Sequence, residues 1–304
     1  GGHPATAATD GNVGTNGNLS TNGSPTTING TLSTPRAGVG TCTANNVTAW
    51  TNSSAHMNCP IGLTDAQCLV ELPQPVVYPT PIIPAPGSTD FNSNDSNCGT
   101  LSATSCGVGS AGTPAANYPS GFHLLPGAGT QLRDVRMQGN KDLYISGGTY
   151  NINSITEVGN TMLHFENAAS CALLPVAQQP SCVPVDATHP VILQVTGTGN
   201  ATPVSLAGGS VLFSGTNFDP TGFQIVYAGT GSIALKGGNN ALGVVYAPNA
   251  SLSFGSSNAS WYGSVLAGTL TDMGGAHIHY DRRLSDKKYL VGPSLLSSFT
   301  WNKY

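Results

Sequence analysis

Between Phe223 and Asp281 the chain repeats itself three times at a spacing of 19 to 20 residues, and a repeat this short leaves few folds open. The copies read FQIVYAGTGSIALKGGNNA from Phe223, LGVVYAPNASLSFGSSNASW from Leu242 and YGSVLAGTLTDMGGAHIHYD from Tyr262. Each carries an apolar run ending in Ala: Val226-Tyr227-Ala228, Val245-Tyr246-Ala247 and Val265-Leu266-Ala267. A Gly or Pro corner and a second alternating strand, such as Ser251-Leu252-Ser253-Phe254, follow. No helical period fits inside such a unit. The pattern predicts an all-β chain, a right-handed parallel β-helix (β-solenoid) of about ten turns or more. Successive strands would lie about 4.8 Å apart, with the Val and Ala positions stacked into interior ladders.

Weaker forms of the pattern extend upstream. From Gly121, the residues Leu132, Val135, Met137, Leu143, Ile145, Tyr150 and Ile152 follow the strand period, with Gly139-Asn140 and Gly147-Gly148 at corners. Near the start, Val13, Leu19, Ile28 and Leu32 are separated by Asn-Gly turns and read as first rungs. Between these regions, LPQPVVYPTPIIPAPG enforces an extended, polyproline-like path. Its apolar residues favour a strap lying on the solenoid over a free linker. The expected organisation is therefore residues 1–58 as N-terminal rungs, 59–120 as a Pro-rich, Cys-containing insertion or strap, and 121–304 as the main solenoid with a C-terminal cap.

Composition excludes several functions. Only 8% of residues are charged and the net charge is −4, so there is no basic stripe for nucleic acid or an anionic membrane surface. With 39% hydrophobic residues, the chain is too apolar for a disordered polymer. No apolar run is long enough to span a bilayer. Gly1 stands where an initiator methionine would be, which suggests a leader or anchor that was removed or lies outside this sequence.

Seven cysteines point to export. Cys98 with Cys106 and Cys171 with Cys182 bracket short loops and are expected to be bonded. Cys59 with Cys68 is the preferred third pair, leaving Cys42 unpaired or bonded to another chain. The absence of a C-x-x-C pair argues against zinc.

The segments GGTYNINSITEVGNT, IVYAGTGSIAL, GVVYAPNASLSF and GSVLAGTLTDMGGAHIHYDRRL resemble a domain of unknown function attached to bacterial PilX-like pilus-assembly proteins. VGTNGNLSTNGSPTTINGTLS, the ELPQPVVYPTP strap and the SSFTWNKY tail fit the same pattern. The resemblance implies a surface or envelope location and no chemistry. The chain departs from it in lacking the hydrophobic pilin helix.

Candidate sites are few. His277, His279 and Asp281 alternate along one strand face and are a candidate metal set. The competing reading is a charged cap on the last sheet edge, extended by Asp286, Lys287 and Lys288. A polysaccharide-active enzyme would need paired carboxylates, and only Glu157 and Glu166 fall near one another in strand-like context. Ice or carbohydrate binding would need a regular hydroxyl column, and Thr230, Asn249 and Thr269 form a broken one.

The sequence thus predicts a non-catalytic structural or adhesive subunit of an extracellular, pilus-like filament or cell-surface layer of a bacterium. No cofactor and no catalytic residue are expected. Expected partners are further copies of the chain or a separate short pilin-like subunit, met through Val76, Val77, Tyr78, Ile82 and Ile83. Surface glycans are a further candidate, given N-x-S/T sequons such as those at Asn29, Asn200 and Asn249.

Overall fold

The structure is a computed structural model and describes residues 12–16, 26–35, 55–57, 68–93, 122–126, 132–139, 142–174, 176–206, 211–213, 219–235, 241–255, 260–272, 277–281 and 284. It divides into two compact units, residues 2–78 and 79–304, so the division falls inside the proline-rich stretch.

In the first unit the strands are β1 (Val13–Gly14), β2 (Thr26–Ile28), β3 (Leu32–Thr34), β4 (Ala55–Met57) and β5 (Leu69–Glu71). They pair in parallel as β1-β3-β5 and β2-β4, with Val13 opposite Leu32 and Ser33 opposite Val70. Leu32 and Cys68 are fully buried. Cys68 is disulfide-bonded to a cysteine outside the described residues. Asn16 brackets the start of the proline-rich stretch: its Nδ2 donates to the Val76 carbonyl at 2.6 Å, and the Val76 N–H donates to its Oδ1 at 2.8 Å. Prolines remove backbone donors, so a side-chain amide supplies the ladder bonds that the segment cannot make with a strand.

The second unit holds β6 (Thr89–Asn92), β7 (Phe122–Leu124), β8 (Leu132–Met137), β9 (Asp142–Ile145), β10 (Gly148–Ile152), β11 (Ser154–Glu157), β12 (Met162–Phe165), α1 (Ala168–Leu173), β13 (Val191–Val195), β14 (Val204–Leu206), β15 (Val211–Phe213), β16 (Phe223–Tyr227), β17 (Ser232–Leu235), β18 (Ala241–Phe254), β19 (Ser260–Asp272) and β20 (His277–Tyr280). One sheet has eleven strands and a second has four, ordered β15-β12-β9-β7. Pairings within both are parallel. The large sheet is curled because β18 pairs with β16 along its first half and with β17 along its second. The bend lies between Ala247 and Ser251, where Pro248 cannot donate to the ladder.

Constant register makes the core. Phe91, Val135, Ile155, Val204, Ile233, Leu252 and Leu270 stack one above another across β6, β8, β11, β14, β17, β18 and β19. A second ladder runs Tyr150, Leu193, Ile225, Val245, Val265. Period-two alternation puts these residues on one face of every strand, and burial of that face is the main driving term. Two glycines inside β18 and β19 are required by close approach. Gly263 has φ +137°, and a Cβ there would lie 2.0 Å from the Gly243 carbonyl oxygen.

The register corrects one part of the repeat alignment. Ile225, not Val226, stacks under Val245 and Val265, while Val226 pairs with Tyr246 on the opposite face. The shared Val-Tyr-Ala lettering is offset by one residue in the first copy, and the period-two core decides which face each residue takes. Thr230 and Asn249, read with Thr269 as a broken column, do not stack on it: Thr269 stacks on Ser251, which stacks on Ser232.

The stretch expected to be an insertion contributes strands, β5 and β6, to the parallel pairing. From Pro79 onward, two side chains of β18 bond the proline-rich stretch. Tyr246 Oη donates to the Pro79 carbonyl at 2.7 Å and Asn249 Nδ2 to Thr80 Oγ1 at 2.9 Å.

Candidate functional site

One group of buried and half-buried polar side chains in the second unit lies on the four-stranded sheet. Register places His123, Tyr144 and His164 directly above one another on β7, β9 and β12. Parallel in-register strands bring like-facing rings to stacking distance. The centroids are 5.0 Å apart for His123 and Tyr144 and 4.5 Å for Tyr144 and His164, with planes within 17° and 12° of parallel. Asp142 lies two residues before Tyr144 on the same face, and its Oδ2 is 3.4 Å from His164 Nε2. Burial lowers the His164 pKa, against the upward pull of Asp142. Burial also pushes Tyr144 up to about 12, with the Asp142 and Glu166 charges adding to it.

Glu166 closes this face. Its Oε1 lies 2.6 Å from His123 Nδ1, and both side chains are buried. Its Oε2 accepts a short hydrogen bond from Ser170 Oγ. Ser170 is also the third residue of α1 and completes a capping box with Asn167, each satisfying the other's backbone N–H. One carboxylate therefore ties the sheet to the start of α1. The Cys171–Cys182 disulfide, with Cα atoms 5.6 Å apart, closes the excursion just beyond. Among the described residues, Glu166, Cys171 and Cys182 are three potential ligands whose donor atoms lie within 4.8 Å of one another.

This group contains a serine, a carboxylate and a histidine, but not in the order that activates a nucleophile. Ser170 donates to the carboxylate, whose other oxygen faces His123, so the carboxylate and not the imidazole stands next to the hydroxyl, unlike the serine–histidine–carboxylate order.

Glu157 occupies a different environment. It points into the core between Met137 and Leu206, and neither carboxyl oxygen has a hydrogen-bond partner. Burial, with a smaller contribution from Asp142, raises its pKa to about 8. The carboxyl is therefore held neutral at physiological pH.

The residues singled out in the sequence fall as follows. Glu157 and Glu166 are both buried, so neither faces a surface where a glycan chain lies. His279 stacks on Tyr262 at 4.5 Å, and His277 lies 6.1 Å from His279 by ring centroids. Both sit on β20, the terminal strand of the large sheet among the described residues. Asp281 follows it, partly exposed. Of the proposed partner contacts, Val77 and Ile82 are 88% and 85% exposed, whereas Val76, Tyr78 and Ile83 are half-buried. Asn249 spends its Nδ2, the atom a glycan would occupy, on Thr80 and the Ala228 carbonyl. Cys42, Cys59, Cys98, Cys106, Asp286, Lys287 and Lys288 lie outside the described residues.

Sequence reasoning missed the His123, Tyr144 and His164 stack. Its signal was present: FHL, LYI and LHF recur at about one repeat length, each with an aromatic or imidazole ring flanked by core residues.

Residues 129–287 match the model of a domain of unknown function, DUF7305, which covers just over half of the chain, and the protein belongs to that family. The match does not link the chain to PilX-like pilus-assembly proteins. No curated protein and no solved structure matches it.

Proposed function

We propose that this DUF7305 protein is a structural or adhesive subunit of an extracellular, pilus-like filament or cell-surface layer, built as a right-handed parallel β-helix. One observation carries the reading. The seven-membered ladder is buried from Phe91 to Leu252, yet its last member, Leu270, is 51% exposed. On β20, Ile278 stacks on the buried Trp261 and is itself 42% exposed. Among the described residues, the stack of parallel strands ends in partly exposed apolar side chains, a surface suited to another subunit. The Cys171–Cys182 bond is consistent with an oxidising location.

The test is surface labelling of intact producing cells with an antibody to the chain, together with fractionation of sheared appendages. The proposal expects label outside the cell and the protein in the sheared fraction. Protein confined to the cytoplasm contradicts it.

A second reading, a carbohydrate- or ice-binding face, draws on the corrected register. Ser232, Ser251 and Thr269 form one outward column, and Ala234, Ser253 and Thr271 form the next. Ser251 and Thr269 already bond each other across 2.7 Å, which takes up hydroxyl capacity a ligand would need. Thermal hysteresis and pull-down on insoluble polysaccharide test it, and binding abolished by T269A/T271A would favour it.

A further inference from the structure

We propose that Cys171, Cys182 and Glu166 form a zinc site when the disulfide is reduced, so that the excursion carrying α1 is cross-linked by sulfur in an oxidising compartment and by metal in a reducing one. The two sulfurs and a Glu166 oxygen already lie within 4.8 Å of one another, and all three residues are buried. Two thiolates and a carboxylate are a donor set that suits Zn²⁺, which takes sulfur at about 2.3 Å and oxygen at about 2.0–2.2 Å.

The carboxylate is held in place. His123 Nδ1 lies 2.6 Å from its Oε1, the type of outer contact that orients a ligating carboxylate. Ser170 donates to its Oε2. His123 is here a positioning residue. Leu125 and Leu174 pack against the two cysteines and screen the site from water.

The chemistry balances with a thiol reductant. Two reductant thiols become one disulfide, each cysteine sulfur gains a proton, and Zn²⁺ displaces both protons as it binds the thiolates. The inference does not depend on the filament reading, because it concerns the state of one cross-link and not the surface that meets a partner.

The test uses the full chain, reduced with a thiol, exchanged into oxygen-free buffer with Zn²⁺, and washed. Metal content is compared with the C171S/C182S variant, and alkylation of the wild type is mapped by peptide mass spectrometry with and without zinc. The expected result is one more zinc per chain in the wild type than in the variant, with Cys171 and Cys182 protected from alkylation by zinc. Co²⁺ in place of Zn²⁺ should give thiolate-to-metal absorption. E166Q, which removes a ligand charge, should weaken binding by at least the roughly 10–100-fold that loss of an outer contact costs. The alkylation arm needs no variant, so it stands even if C171S/C182S folds poorly. Equal zinc in wild type and variant, alkylation unaffected by zinc, or full affinity in E166Q would each overturn the proposal.

Discussion

Leu270 stacks directly on Leu252, yet Leu252 is fully buried and Leu270 is half exposed. Among the described residues, the apolar ladder ends at Leu270. Replacing Leu270 with Asp removes a contact surface without opening a cavity, so the monomer should keep its stability to within about 0.5 kcal/mol. Sedimentation velocity across a concentration series should show association in the wild type and its loss in L270D or I278D. Equal association in all three would show that this end is not the contact.

Glu157 makes stability fall with pH. Its folded pKa of about 8 lies above the ordinary carboxyl value of 4.5, so the folded chain keeps a proton that the unfolded chain releases. Its contribution is complete below about pH 4.5 and is lost as pH rises toward 8. E157Q should flatten that part of the profile and be more stable at pH 8 by on the order of 2–4 kcal/mol. Denaturant melts from pH 4.5 to 8.5 check this, and parallel profiles would contradict it.

Gly263 and Gly199 separate close approach from backbone conformation. Both have positive φ, but a Cβ at Gly263 meets the Gly243 carbonyl whereas one at Gly199 meets nothing within 4 Å. G263A should cost about 2–4 kcal/mol and G199A about 1 kcal/mol, measured by chemical denaturation. Equal costs would mean that the strand spacing at Gly263 is looser than the structure has it.

The Cys171–Cys182 bond closes a short loop, with a sequence separation of 11. Removing it as C171S/C182S should lower stability by about 2–3 kcal/mol in non-reducing buffer. Hydrogen exchange should rise first in α1 and in the turn at Gln179–Ser181, since few ladder bonds hold that excursion. Unchanged exchange there would show that the Glu166 contacts suffice alone.

Parallel strands, their core face and the small share of helix were legible because period-two alternation and a 20-residue repeat are one-dimensional signals. Register was legible only to within one residue: Val226 and Ile225 are both β-branched and apolar, and only their neighbours in the next layer tell which points inward. The strands β5 and β6 were hidden by surrounding prolines and polar residues. His123, Glu166 and Ser170 were hidden for another reason. They come from three segments, and their meeting depends on stacking register and on where the capping box of α1 falls. Glu157 was noticed as an acid but not as a core residue, since its place between Met137 and Leu206 exists only once β8, β11 and β14 are aligned.

The most direct measurement of the central claim is immunogold electron microscopy of surface material from producing cells, with antibody raised against the folded chain. A filament or layer subunit should label along appendages or in a continuous coat, and a strain expressing L270D should lose that ordered label while still making the protein. Label confined to the cell interior, or ordered label unchanged in L270D, would contradict the account.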